Sequence, residues 1–153
     1  MKDEYLRLDN QLCFLFYSVS RAMTRMYGPL LAELGITYPQ YLTMLILWES
    51  DHVEVNRITE LLHMDTGTVS PMLKRLETGG FIIRERSKED ERKVIISLTK
   101  KGANLKARAA GVPEELFCRT GLSAEEYHRF KKELADLLLR MEGKSECGGA
   151  APR

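Results

Sequence analysis

The sequence predicts a mainly α fold with one small β-hairpin (α+β), and three observations carry that prediction. Apolar residues recur at three- and four-residue spacing over most of the chain, the pattern of amphipathic helices. The pattern breaks between Phe81 and Leu98, where β-branched residues gather and Val94, Ile96 and Leu98 alternate. The third is size: 153 residues, 44% hydrophobic and 29% charged, suit one globular domain with an ordinary core.

The first element is a long helix from Asn10 to Gly35. Leu12, Phe16, Val19, Met23, Met26, Leu30 and Leu34 form its stripe, Asp9 or Asn10 caps its start and Gly35 ends it. Pro29 removes a backbone donor and kinks the last turns. Phe14, Leu15 and Tyr17 lie off the stripe, so the helix is apolar on more than one side and calls for a partner chain. Thr37 and Gln40 are spaced as a capping box, with Pro39 in the first turn of a second helix whose inward face is Tyr41, Leu45 and Trp48. A third helix, Glu54–Leu62, carries Val55, Ile58, Leu61 and Leu62. A tight connection at His63–Asp65 then leads into a fourth, which begins at Asp65 or Thr66 so that Pro71 falls near its first turn.

In that fourth helix Val69, Met72, Leu73 and Leu76 make one apolar stripe, and Thr66, Ser70, Lys74 and Arg75 the opposite face. Gly79-Gly80 stops it. The strands Phe81–Arg86 and Lys93–Leu98 follow, joined by the charged tip Ser87–Arg92. Thr99 restarts helix toward Ala110, Gly111-Val112-Pro113 interrupts it, and Glu114–Arg119 follows. Ser123 and Glu126 form another capping box, ahead of a face made of Tyr127, Phe130, Leu134, Leu137, Leu138 and Met141. The segment 143–153 has no apolar pattern and reads as a disordered tail.

Two short helices joined closely, then a hairpin, are a helix-turn-helix with a wing. Asp90-Glu91-Arg92, followed by Ser97-Leu98-Thr99 and Lys101-Gly102, gives D-x-R and then L-T-x-x-G, which resembles the wing of MarR-family transcription regulators. The resemblance runs from residue 5 to about 142. It implies a single domain over 1–142, with a winged core at about 37–99 and dimerisation helices at about 9–35 and 99–142. It also implies a homodimer on a palindromic double-stranded operator. Asp65, which also caps the helix, and Thr66, Thr68 and Ser70 then face phosphates and base edges, and Lys74 and Arg75 reach the backbone or guanine. By resemblance Arg92 enters the minor groove, with Asp90 orienting it. Arg84, Arg86, Lys88 and Lys93 are candidates for phosphate contacts.

Charge sets a condition on this reading. Net charge is +1, and residues 65–93 hold seven Lys/Arg against six Asp/Glu, so binding rests on a few placed contacts that a dimer doubles. No run spans a bilayer and the N-terminus lacks a signal-peptide stretch, which places the protein in the cytoplasm. Cys13, Cys118 and Cys147 are too few and scattered for a disulfide framework, no Cys-x-x-Cys occurs, and His52, His63 and His128 lack metal spacing. Neither a metal nor a cofactor is called for, and no catalytic constellation stands out.

A second resemblance concerns the switch. Asp9 to Tyr17, Met26 to Leu31, Ile36 to Tyr41 and Leu47-Trp48-Glu49 are similar to the OhrR subgroup, repressors that sense organic hydroperoxides. In that subgroup a cysteine near the first turn of the first helix is oxidised, and Cys13 holds that position. Tyr27 and Tyr38 match the two tyrosines that hydrogen-bond to its sulfur, and Cys118 matches the resolving cysteine of the two-cysteine branch. Cys13 and Tyr27 are roughly 21 Å apart along a helix, so the tyrosines must come from the other subunit. A thiolate attacks peroxide to give a sulfenic acid, which a second thiol captures as a disulfide. Cys147 reads as a bystander. Three rival readings predict different chemistry: a regulator released by a small aromatic ligand with Cys13 structural, a thiol peroxidase, and a winged domain that binds only protein.

Overall fold

The computed structural model describes residues 3–143; the expected tail from residue 144 on, with Cys147, lies outside them. The chain divides into two compact units, one ending at Leu116 and the other starting at Phe117.

The first unit opens with two 3-10 turns, Asp3–Leu6 and Leu8–Asn10, before helix α1, Leu12–Ala32. The expected caps do not cap. Asp9 pairs with Arg7 at 3.0 Å, and the Asn10 amide donates to the Glu4 carbonyl at 2.8 Å. These local bonds hold the two residues in the preceding turn, so Gln11 takes the cap position. At the other end Gly35, at φ +72°, accepts the left-handed turn that reverses the chain. Its N–H bonds to the Ala32 carbonyl and that of Ile36 to Leu31, the paired bonds of a Schellman ending.

Helix α2, Tyr38–Glu49, starts as its sequence requires, with Gln40 Oε1 accepting the Thr37 N–H at 2.8 Å. Its inward face is Gln40, Tyr41, Thr43, Met44 and Leu47. Leu45, expected inside, is 40% exposed because it lies past the edge of that arc. Trp48, also expected inside, is half-buried, and its indole N–H donates to the Gly102 carbonyl at 3.0 Å.

A two-residue strand β1, Val53–Glu54, follows, too short to show alternation in the sequence. Helix α3, Val55–Leu62, buries Ile58 and ends at His63 in the left-handed region. Helix α4, Thr66–Thr78, is capped by Asp65, whose carboxylate accepts the Thr68 N–H at 2.9 Å. Val69, Met72, Leu73 and Leu76 are all buried, so the stripe closes on the core. Pro71 lies in the second turn of α4, one turn later than expected, and the N–H it lacks is the one that would reach Gly67.

Strands β2, Ile82–Arg86, and β3, Val94–Leu98, pair antiparallel with Ile82 opposite Leu98 and Arg86 opposite Val94. β1 adds to the free edge of β3, so the sheet has order β1-β3-β2 and three strands where two were expected. The L-T-x-x-G segment has a physical reason. Thr99 caps helix α5, Lys100–Ala109, by accepting from the Gly102 N–H, and its hydroxyl donates to the Gly80 carbonyl at 2.6 Å. A Cβ on Gly102 would stand 2.0 Å from the Phe81 carbonyl oxygen, so only glycine lets α5 sit this close to the hairpin.

Helix α6, Val112–Thr120, already contains Val112 and Pro113; the break expected there is confined to the residues before it. In the second unit helix α7, Ala124–Glu142, opens with the Ser123–Glu126 capping box, its two bonds at 2.9 and 3.2 Å. Phe117 stacks edge-on to Tyr127 with ring centres 5.5 Å apart.

The core joins α2, α3, α4, the sheet and α5. The long helices at either end differ. α1 buries only Leu31, leaving Leu12, Leu15, Tyr17 and Val19 more than half exposed. α7 buries no residue, and Tyr127, Phe130, Leu134, Leu138 and Met141 are exposed along one face. Contiguous apolar surface of this kind marks an interaction site. Among the described residues no helix is long and apolar enough to cross a membrane, and no group of His, Cys, Asp or Glu could hold a metal ion.

Candidate nucleic-acid interface and thiol site

The reading face is built at the start of α4. Asp65 anchors it, accepting from the Thr68 N–H and, at 2.8 Å, from the Thr68 hydroxyl. Those two bonds, the hydroxyl's first, hold the Asp65 carboxyl below the usual carboxylate range. Asp65 and Thr68 thus use polar atoms on the cap, while Thr66 is exposed and Ser70 half-exposed. Lys74 and Arg75 lie exposed further along the helix.

Beside α4 a cleft of about 200 Å³ opens toward the hairpin, lined by Thr66, Ser70, Arg84, Arg92, Lys93 and Glu54 among others. It brings five of the sequence-predicted polar residues to one place. Arg86 and Lys88 are exposed and outside the cleft lining. The wing tip is ordered from within: Ser87 Oγ accepts from the N–H groups of Glu89 and Asp90, and the Lys93 N–H donates to the Asp90 carbonyl. Asp90 Oδ1 accepts from both the backbone N–H and Nε of Arg92 at 3.1 Å. The Arg92 bonds hold the Asp90 carboxyl low, and the guanidinium itself stays 91% exposed, pre-aimed into solvent. Asp90 and Arg92 thus form an ion pair within the wing tip.

Two features were missed. Lys93 Nζ pairs with Glu54 Oε1 at 2.8 Å, across 39 residues of chain. Asp51 Oδ1 accepts the Leu98 N–H at 2.9 Å, fastening the loop before β1 to the hairpin. Both contacts depend on β1, which no periodicity announces.

The thiol site is divided. Cys13 is the second residue of α1 and is exposed, as is Cys118 on α6; both thiols are free. Tyr27 lies fourteen positions on in the same helix, about 21 Å away at the helical rise. There it meets Tyr38 at the start of α2, ring centres 4.5 Å apart, and Tyr41 at 5.7 Å. Burial raises the Tyr38 hydroxyl above its ordinary value; for Tyr41 burial acts first and the neighbouring Tyr38 second. Both phenols therefore remain O–H donors at neutral pH. Tyr41 was read only as a core residue.

Comparison with known proteins adds lineage to this geometry. Residues 25–109 match the family model described as transcriptional regulator SarA/Rot. The chain is 47% identical to the organic hydroperoxide resistance transcriptional regulator of Bacillus subtilis (strain 168), covering 94% of this chain and 98% of the relative. Among solved structures it is similar to AbfR of Staphylococcus epidermidis in two forms. Reduced AbfR bound to DNA is 40% identical with TM-score 0.76, covering 93% of this chain and 97% of that one. The disulfide-formed AbfR is 39% identical with TM-score 0.59, covering 93% and 94%. MarR itself is 26% identical with TM-score 0.74, covering 88% and 95%.

Proposed function

The chain belongs to the MarR family of winged-helix DNA-binding transcription regulators, in its OhrR-like branch, and we propose that it is a dimeric repressor released from its operator when an organic hydroperoxide oxidises Cys13. The observation that carries this reading is the separation along α1. Cys13 stands exposed at one end amid uncovered apolar residues, and the paired Tyr27 and Tyr38 stand at the other. An antiparallel second copy of α1 would cover the apolar surface and bring each Cys13 to its partner's tyrosines.

The steps balance without a cofactor. The Cys13 thiolate attacks the terminal oxygen of the hydroperoxide; the O–O bond breaks, an S–O bond forms, and the alkoxide takes a proton to leave as the alcohol. The sulfenic acid condenses with the Cys118 thiol of the other subunit, giving a disulfide and water. That bridge needs Cα atoms within about 7 Å. The strain of reaching it moves the recognition helices α4 off a half-site spacing of about 34 Å. On DNA, α4 enters the major groove with Thr66, Thr68, Ser70, Lys74 and Arg75, and Arg92 the minor groove. Arg84, Arg86 and Lys88 meet phosphates.

The test is a duplex-binding titration before and after cumene hydroperoxide, beside a non-reducing gel, on wild type, Cys13→Ser and Cys118→Ser. The two-cysteine switch requires that oxidation release DNA with a covalent dimer needing both thiols. Release without crosslink in Cys118→Ser leaves Cys13 sensing alone. One observation favours a second reading, release by a small aromatic ligand: an open cleft of about 600 Å³ lined by Tyr41, Leu45, Trp48, Ala109, Ala110 and Pro113, with Glu49 and Lys106. A Cys13→Ser protein that still responds to its effector would select it.

A further inference from the structure

The cleft between α3, α4 and the wing carries three cations, Arg84, Arg92 and Lys93, and one carboxylate, Glu54. An acid in a surface meant for phosphates costs affinity, so its presence asks for a role. Glu54 is the last residue of β1, fixed in the sheet opposite Ile95 and standing at the cap position of α3. Its Oε1 holds Lys93 Nζ at 2.8 Å, with the two side chains 37% and 48% exposed. Lys93 is the last residue before β3, and its backbone N–H closes the wing tip on Asp90.

Resting on the DNA-reading function above, we propose that Glu54 is a positioning residue that acts through Lys93, withholding that cation from phosphates and so lowering the sequence-blind part of duplex affinity and its salt dependence. Phosphate contacts are sequence-blind: each adds affinity for every duplex alike. A paired lysine adds little of it. The partnership is stable against titration, because the Glu54 bond and then its charge raise the Lys93 ammonium above its ordinary value. Arg92, whose carboxylate partner sits on the wing itself, keeps its fork outward; Lys93, whose partner sits on the sheet edge, is turned back.

Salt dependence tests this, because its slope counts released counterions and a prop for the wing would not move it. Wild type, Glu54→Gln, Lys93→Gln and the double variant are titrated against a palindrome selected in vitro with this protein and against a scrambled duplex. The proposal predicts that Glu54→Gln steepens the slope of log K on log [salt] by about 0.9 per protomer and raises scrambled-duplex affinity about 3- to 30-fold at low salt. Palindrome affinity rises by the same factor, so discrimination is unchanged. Lys93→Gln alone leaves the slope unchanged, and the double variant shows no gain. Glu54→Asp, which keeps the charge but shortens the reach, follows Glu54→Gln.

Three results overturn it. An equal gain from Glu54→Gln in the Lys93→Gln background assigns the effect to the bare charge. A slope flattened by about 0.9 per protomer in Lys93→Gln means the lysine reaches phosphate despite Glu54. Weaker binding to both duplexes at unchanged slope makes the pair a mere prop. Failure of wild type to bind any duplex would instead remove the DNA-reading function itself.

Discussion

Helices α4 and α7 carry the same sequence signal and meet opposite fates. Both repeat apolar residues at three and four positions and both are capped by a side chain. In α4 the stripe Val69, Met72, Leu73 and Leu76 is buried against the chain's own core. In α7 Leu134, Leu138 and Met141 remain 48%, 46% and 74% exposed. Periodicity therefore reports that a face will be buried and is silent on which chain buries it. Burying one such leucine is worth about 1.5–3 kcal/mol, so a row left open is surface that the dimer proposed above would cover. α1 gives the same answer from the other end of the sequence.

The contrast can be broken at either helix. The largest effect belongs to the open one. Leu134→Asp with Leu138→Asp should leave a monomer in sedimentation and lower operator affinity about 10²- to 10⁴-fold, since both half-sites must be held at once. Thermal unfolding of the winged core should change little. Next, Leu73→Ala in α4 should cost about 2–5 kcal/mol in urea unfolding and leave the sedimentation of the folded protein unchanged. If it instead dissociates the dimer, the division between closed and open faces is wrong. Arg92→Ala, on a 91% exposed side chain whose ion pair is with Asp90, should change stability little and cost about 1–3 kcal/mol of operator binding, concentrated on A·T-rich flanks.

The smallest effect sharpens the account of α4's start. Asp65 is held below its ordinary value of 3.8, chiefly by the Thr68 hydroxyl and then its N–H. Its contribution is full above the unfolded value and fades as pH falls through the lower folded one. Asp65→Asn, which keeps an acceptor without the charge, should lose less stability than wild type between about pH 5 and pH 2 in an acid titration followed by circular dichroism.

Much of this was legible in the residues. The hairpin's alternation set its strands to within one residue, and two capping boxes set two helix starts. What escaped was non-local. β1 is two residues long and exists only because the edge of β3 accepts Val53 and Glu54. The Asp9 and Asn10 caps failed because Arg7 and the Glu4 carbonyl compete for their side chains. Leu45 was misplaced because the buried arc of α2 centres on Met44, not on Tyr41 and Trp48. At the site, Arg92 and Asp90 came from the resemblance of a local D-x-R pattern, whereas the pairing of Lys93 with Glu54, 39 residues away, left no local trace. Cys13, Tyr27 and Tyr38 came from family resemblance; helix spacing already separated Cys13 from Tyr27, and the fold adds that Tyr38 stacks on Tyr27.

The central claim, that the sensor is assembled across the dimer, is tested by a mixed dimer. One chain carries Cys13→Ser; the other carries Tyr27→Phe and Tyr38→Phe but keeps Cys13. The rate of Cys13 oxidation by cumene hydroperoxide is followed by trapping the sulfenic acid with dimedone. If tyrosines act on the partner's sulfur, the single remaining Cys13 faces intact tyrosines and reacts at the wild-type rate. A rate as slow as that of the Tyr27→Phe/Tyr38→Phe homodimer would place the tyrosines' action within one chain and contradict the account.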